Sequence, residues 1–242
     1  MAIGNVTPDS FYAGSRLMST SDEESVNVSV VIDWARTALA DGAEILDIGG
    51  CSTRPGSEPV SEETEWRRVA PALEAIHDVF PEASLSLDTF RPTIARRALE
   101  QFGPVIINDV SGGCEAMYAT VRAFDAPYVW TLRGDLDLPS KRTEMQNMNL
   151  ILDPGLGFIG SVEADYACLR AIDRLRVYGR PVLVGVSRKS MIYKPLGLTP
   201  ETSLCATQVL QFYALYHGAT ILRTHDVKET NQTIKLFERL CN

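Results

Sequence analysis

Eight short apolar, β-branched runs, at residues 1–5, 43–48, 84–88, 104–108, 127–131, 148–152, 181–186 and 219–223, alternate with longer segments of helical period. Strands separated by helix-length segments favour crossovers over hairpins, and repeated crossovers build a parallel sheet with helices outside it. Eight such units predict an α/β chain folded as a (β/α)8 TIM barrel. At 242 residues the length suits one such domain spanning 1–242. Between the first two strands Val31, Trp34, Ala35, Ala38 and Leu39 recur at i, i+3, i+4, i+7 and i+8, and Gly42 follows as a stop. Further helices are predicted at 62–79, 91–102, 115–124, 162–178, 201–217 and 227–240, the third helix of the series having Pro92 near its start. The fifth unit breaks the pattern, because only a polar stretch with Asp135, Asp137, Pro139 and Lys141 follows strand five. The helix between strands five and six is expected to be reduced or missing.

The charge balance, 23 Lys and Arg against 31 Asp and Glu, leaves no basic footprint for nucleic acid and no polybasic membrane anchor. No run approaches eighteen apolar residues, so no membrane span is expected. Five scattered cysteines without a CxxC pair argue against a disulfide framework or a zinc site and for a reducing, cytoplasmic setting.

Strands buried on both faces have no structural use for polar residues, yet each predicted strand ends in one. In order they are Asn5, Asp47, Asp88, Asn108 with Asp109, Thr131 with Arg133, Asp153, the run Ser187-Arg188-Lys189-Ser190, and Arg223 with His225. In a barrel all these ends share one face, where such folds carry their chemistry. Asp47, before Gly49-Gly50, reads equally as a turn cap or a site group, and Asp109 is similarly ambiguous. Asp88, Asn108 and Asp153 together suit the donor and acceptor edge of a polar ring. Arg223, His225 and the Ser187–Ser190 run lie in the quarter where barrels bind phosphate, so an anionic group is expected there. Such an anion brings a divalent cation, for which Asn5 offers a hard amide oxygen. Loops 7–11 and 49–56 are candidate lids.

The segments Asn5-Val-Thr-Pro-Asp-Ser-Phe11, Asp47-Ile-Gly-Gly50, Ser52-Thr-Arg-Pro-Gly56, Ser86-Leu-Asp-Thr89, Ile106-Ile-Asn-Asp-Val110, Leu152-Asp-Pro-Gly-Leu-Gly-Phe158, Val184-Gly-Val-Ser-Arg-Lys-Ser190 and Leu222-Arg-Thr-His-Asp-Val227 come in this order. Together they resemble the dihydropteroate synthases of the pterin-binding barrel superfamily. The resemblance implies condensation of 6-hydroxymethyl-7,8-dihydropterin diphosphate with 4-aminobenzoate, giving 7,8-dihydropteroate and diphosphate, with sulfonamides as competitors. It implies that Asp88, Asn108, Asp153 and Lys189 bind the pterin ring, with Phe158 shaping the pocket. Asn5, Arg223 and His225 would hold the diphosphate with Mg2+. Ser190, Thr53, Arg54, Pro55 and Phe11 would form the aminobenzoate site, with Asp9 and both loops closing over it. A homodimer is the expected assembly.

Three departures stand out against that pattern. Strand five ends Trp130-Thr-Leu-Arg-Gly134, where the family usually has a Met-His-Met-Arg-Gly-like run, so Thr131 replaces the usual histidine and Trp130 is expected to reshape the pterin floor. Tyr12-Ala13 stands where a Ser-Asp pair often follows the first loop, and Ile159-Gly160-Ser161 where Gly-Lys is common. These departures leave a catalytically impaired pterin-binding paralogue as one alternative. A methyltetrahydrofolate-dependent methyltransferase is another, disfavoured because it needs no anion-binding groups.

Overall fold

The computed structural model describes residues 1–7, 17, 26–51, 60–136 and 147–241. Strands β1 (Ala2–Asn5), β2 (Ile45–Gly49), β3 (Ser84–Asp88), β4 (Ile106–Asp109), β5 (Tyr128–Thr131) and β6 (Leu150–Asp153) pair in chain order, every pair parallel. Strands β7 (Leu183–Val184) and β8 (Ile221–Leu222) form a second parallel pair. Bridges Leu152 to Val182 and Ala2 to Thr224 join the two sheets at both edges and close the ring. Leu152 N–H donates to the Pro181 carbonyl at 2.8 Å, and Ile3 N–H to the Thr224 carbonyl at 3.0 Å. All eight expected strands are present as a barrel.

The helices α1 (Val28–Ala40), α2 (Glu62–Val79), α3 (Pro92–Phe102), α4 (Glu115–Ala123), α5 (Val162–Arg170), α6 (Ser190–Tyr193) and α7 (Leu204–Tyr216) connect the strands, and α8 (Val227–Cys241) follows the last of them. Local chemistry starts several of them. Ser61 accepts from Thr64 N–H at 3.1 Å, with Glu62, Glu63 and Glu65 in the positive first turn of α2, and Ser161 caps α5 in the same way. The helix expected over 162–178 divides, α5 ending at Arg170 and a 3-10 segment running Ile172–Tyr178. Four-residue α6 was not foreseen, being too short to show a period. Among the described residues between β5 and β6 there is a turn and no helix; 137–146 lie outside them.

Strand parity places the site. Leu46, Ile48, Leu87, Ile107, Tyr128 and Leu152 join the main core with helix residues such as Ala35, Leu73, Ile76 and Ile94. A separate small cluster of Val129, Ile151 and Leu183, with Met1, Ile106 and Ile221 against it, plugs the barrel interior. Side chains two residues further along a strand share its face. Two steps from Ile106, Val129, Ile151, Leu183 and Ile221 stand Asn108, Thr131, Asp153, Gly185 and Arg223. The apolar plug therefore carries a polar layer directly above it.

Candidate active site

Asp47 is the centre of that layer. Its carboxylate has no exposed surface and accepts from Ser86 Oγ at 2.6 Å, Asn108 Nδ2 at 3.0 Å and Arg223 Nε at 2.7 Å. The Asp47 side chain is thus a buried hub, and its reading as a simple turn cap falls away. Arg223 extends its Nη2 to Asp88 at 2.7 Å. One guanidinium between two carboxylates keeps its charge firmly, and the carboxylates raise its pKa against the pull of burial. Burial pushes Asp88 up, while Arg223 opposes that rise. With its amide nitrogen committed to Asp47, Asn108 presents its buried Oδ1 with no hydrogen-bond partner.

The β6–α5 and β7–α6 loops build the facing wall. Lys189 Nζ donates to the Leu156 carbonyl and sits 5.0 Å from the centroid of the Phe158 ring. Gly157, at φ +86°, makes this approach possible, because a Cβ there would come within 3.0 Å of Lys189 Cδ. Burial lowers Lys189 to about 8, with Asp153 holding it from falling further. Burial likewise raises Asp153, whose Oδ1 accepts from Gly155 N–H at 2.8 Å. His225 N–H donates to Ser187 Oγ at 3.2 Å. Burial first, then Arg223, Arg188 and Lys189, drive His225 down to about 3, so its ring is neutral at physiological pH.

A buried lattice of carboxylates and an amide thus stands beside a lysine, with an arginine and a neutral histidine at the last strand. The sequence pattern described as "pterin binding enzyme" matches residues 1–135 and 138–225. The chain belongs to the pterin-binding enzyme family. A dihydropteroate synthase of Streptococcus pyogenes serotype M6 is 34% identical over 261 residues, spanning 99% of this chain and 94% of that protein. A Clostridium difficile dihydropteroate synthase, solved in the presence of pteroic acid, superposes with a TM-score of 0.86 at 29% identity, covering 99% of this chain and 95% of that one. A Xanthomonas albilineans dihydropteroate synthase solved with 4-aminobenzoic acid gives 0.83 at 32% identity, covering 99% and 91%. Within the pterin-binding enzymes, the chain is a transferase of the dihydropteroate synthase type.

For a pterin-binding enzyme, several strand-end residues turn out to be scaffold. Arg188, expected among the anion-binding cations, is buried, and its guanidinium forms a two-pronged pair with Asp226 (2.9 and 2.8 Å) while donating to the Pro200 and Glu201 carbonyls. Its backbone takes the left-handed conformation, with φ at +54°. Asp109 lies on the outer face, accepting from Ser111 N–H and Tyr128 OH. Trp130 also faces outward, its Nε1 donating to the Gly112 carbonyl at 3.0 Å, so it does not reshape the interior. Asp9, Phe11, Thr53, Arg54 and Pro55 lie outside the described residues, as do Tyr12 and Ala13. The foot of the second loop is held by groups not expected from the sequence: Glu65 accepts from Thr89 Oγ1 and Arg91 Nη1, each at 2.5 Å, and Arg91 Nη2 reaches the Val60 carbonyl. Among the described residues no helix is long and apolar enough to cross a membrane.

Proposed function

We propose that this barrel condenses 6-hydroxymethyl-7,8-dihydropterin diphosphate with 4-aminobenzoate, releasing diphosphate. The observation that carries the reading is Arg223, bonded to Asp88 on one side and standing near His225 at the end of β8. It joins the ring-reading set, Asp88, Asn108, Asp153 and Lys189 beside Phe158, to the leaving-group set, Asn5, Arg223 and His225. A substrate with a ring and a diphosphate one carbon apart fits that continuity.

When the bond from the methylene carbon to the diphosphate oxygen breaks, its electrons leave with the diphosphate and the carbon gains positive charge. Carboxylates near the ring favour that charge, and Arg223 with neutral, donating His225 favours the departing anion. The aniline nitrogen then bonds to carbon and loses a proton. Ser190, at the start of α6 beside Lys189, is assigned to 4-aminobenzoate, together with Phe11, Thr53, Arg54, Pro55 and Asp9, as the family resemblance implies. Sulfonamides would compete for that place. Water exclusion at this point prevents loss of the activated carbon.

Mg2+ fits the donor chemistry. Among the described residues no group of three or more His, Cys, Asp or Glu could cage a metal, and Mg2+ typically takes one or two protein oxygens plus substrate phosphates. Gly49 keeps the space beside Asn5 open, since a Cβ there would lie 3.7 Å from Asn5 Oδ1 and 3.4 Å from Asp88 Cβ. Asn5 would hold the ion, which would neutralise charge on the leaving diphosphate. The test is mass-spectrometric detection of dihydropteroate from both substrates with Mg2+, omitting each in turn. Product formation dependent on both is expected, and none from folded protein would reject the proposal.

A further inference from the structure

Among the described residues, the polar layer holds a hydroxyl that the mechanism above does not use and that no other side chain satisfies. Thr131 ends β5, is only 2% exposed, and pairs across the sheet with Asp153. It stands two residues above Val129, so it shares the inward face of the apolar plug. Its neighbours on that face are Asn108 on β4 and Asp153 on β6. Its Oγ1 is buried and makes no hydrogen bond, the same condition as Oδ1 of Asn108. A buried hydroxyl without a partner is costly, and natural proteins tolerate few.

The methyl branch accounts for how the hydroxyl points. A Cβ on Gly155 would fall 3.0 Å from Thr131 Cγ2, so the methyl packs against the Asp153–Gly155 turn. The two branches of a threonine diverge, which directs Oγ1 away from that turn and from the partners the turn could offer. Trp130, facing outward to Gly112, offers none either.

We infer that Thr131 is a further ring-binding, specificity-determining residue, its hydroxyl completing a hydrogen bond to the pterin ring between Asn108 and Asp153. This rests on the proposed function, since it assumes that the ring occupies this layer. A hydroxyl both donates and accepts, so Thr131 adds a polar contact at a position where the related strand-five run carries a different side chain. The site then discriminates by one more group, and analogues lacking the matching ring atom lose that contact.

Calorimetric titration with 6-hydroxymethylpterin and, separately, with inorganic diphosphate plus Mg2+ tests it on the wild type, Thr131→Val and Thr131→Ser. Thr131→Val should weaken pterin binding about tenfold and leave diphosphate binding within about twofold, the scale of one neutral hydrogen bond to a group left unpaired. Thr131→Ser, which keeps the hydroxyl, should stay near wild type. Unchanged pterin affinity in Thr131→Val, with a higher melting temperature, would overturn the inference, since the hydroxyl would then be only a buried cost. Equal weakening by Thr131→Ser, or equal loss of diphosphate binding, would also overturn it by pointing to shape or folding. A wild-type chain that binds diphosphate without binding the ring would overturn it as well. Failure to bind either ligand would instead remove the functional reading on which it rests, and that is read before any variant is compared.

Discussion

Replacing Asp47 by Asn removes one charge and little volume from a fully buried side chain that takes three hydrogen bonds inside the barrel. The native carboxylate accepts from Ser86, Asn108 and Arg223 with no exposed surface. Asn108 and Arg223 both donate to Oδ2 and Ser86 to Oδ1, so an amide oxygen facing the first two turns its NH2 to the Ser86 hydroxyl, and all three bonds lose their charge assistance. At about 1–1.5 kcal/mol of lost charge assistance for each of the three, the cost is about 3–4.5 kcal/mol. Arg223 keeps Asp88, which holds the penalty below that of a wholly unpaired buried charge. For a domain of this size, about 2–4 °C per kcal/mol gives a fall of about 6–18 °C in melting temperature. Calorimetry measures that shift, and steady-state kinetics should show at least about a tenfold drop in kcat/KM for the pterin substrate as Asn108 and Arg223 lose their orientation. A melting temperature within about 2 °C of wild type, with kcat/KM intact, would refute the hub.

Three further outcomes follow from the same geometry. Lys189 is protonated below about 8 and loses its charge as pH rises through that value, so kcat/KM for the pterin substrate should decline above it; Lys189→Arg should abolish the decline while lowering activity, and a wild-type profile flat to pH 10 would contradict the role. Asn5→Ala should raise the Mg2+ concentration needed for half-maximal rate without altering 4-aminobenzoate KM, as read from Mg2+ titrations; an unchanged requirement would release Asn5 from the metal. Arg188→Met should cost about 3–5 kcal/mol, the usual penalty for breaking a buried ion pair, seen as a lower denaturation midpoint; diphosphate affinity of the folded variant should persist, and its selective loss would return Arg188 to the anion site.

The strands were legible because their β-branched runs are bounded by helical period, and the polar strand ends because each follows such a run. Which way a strand-end residue points was not. Asn108 and Asp109 are neighbours in sequence, yet one enters the barrel and the other packs outward on Tyr128. Parity separates them only once the register of Ile106 on the apolar plug is known. Trp130 and Thr131 divide in the same way. Asp47 stayed ambiguous because its defining partner, Arg223, is 176 residues away. Arg188 looked like a ligand-binding cation because its anchor, Asp226, belongs to another strand end, and a left-handed arginine leaves no sequence trace.

The most direct test of the account is a crystal structure with a pterin analogue and diphosphate bound together. The ring should lie against Asp88, Asn108, Asp153 and Lys189, and the diphosphate on Arg223, His225 and Asn5, with Arg188 still held by Asp226. A ring outside the polar layer above Val129 and Ile151, or a diphosphate seated on a displaced Arg188, would contradict it.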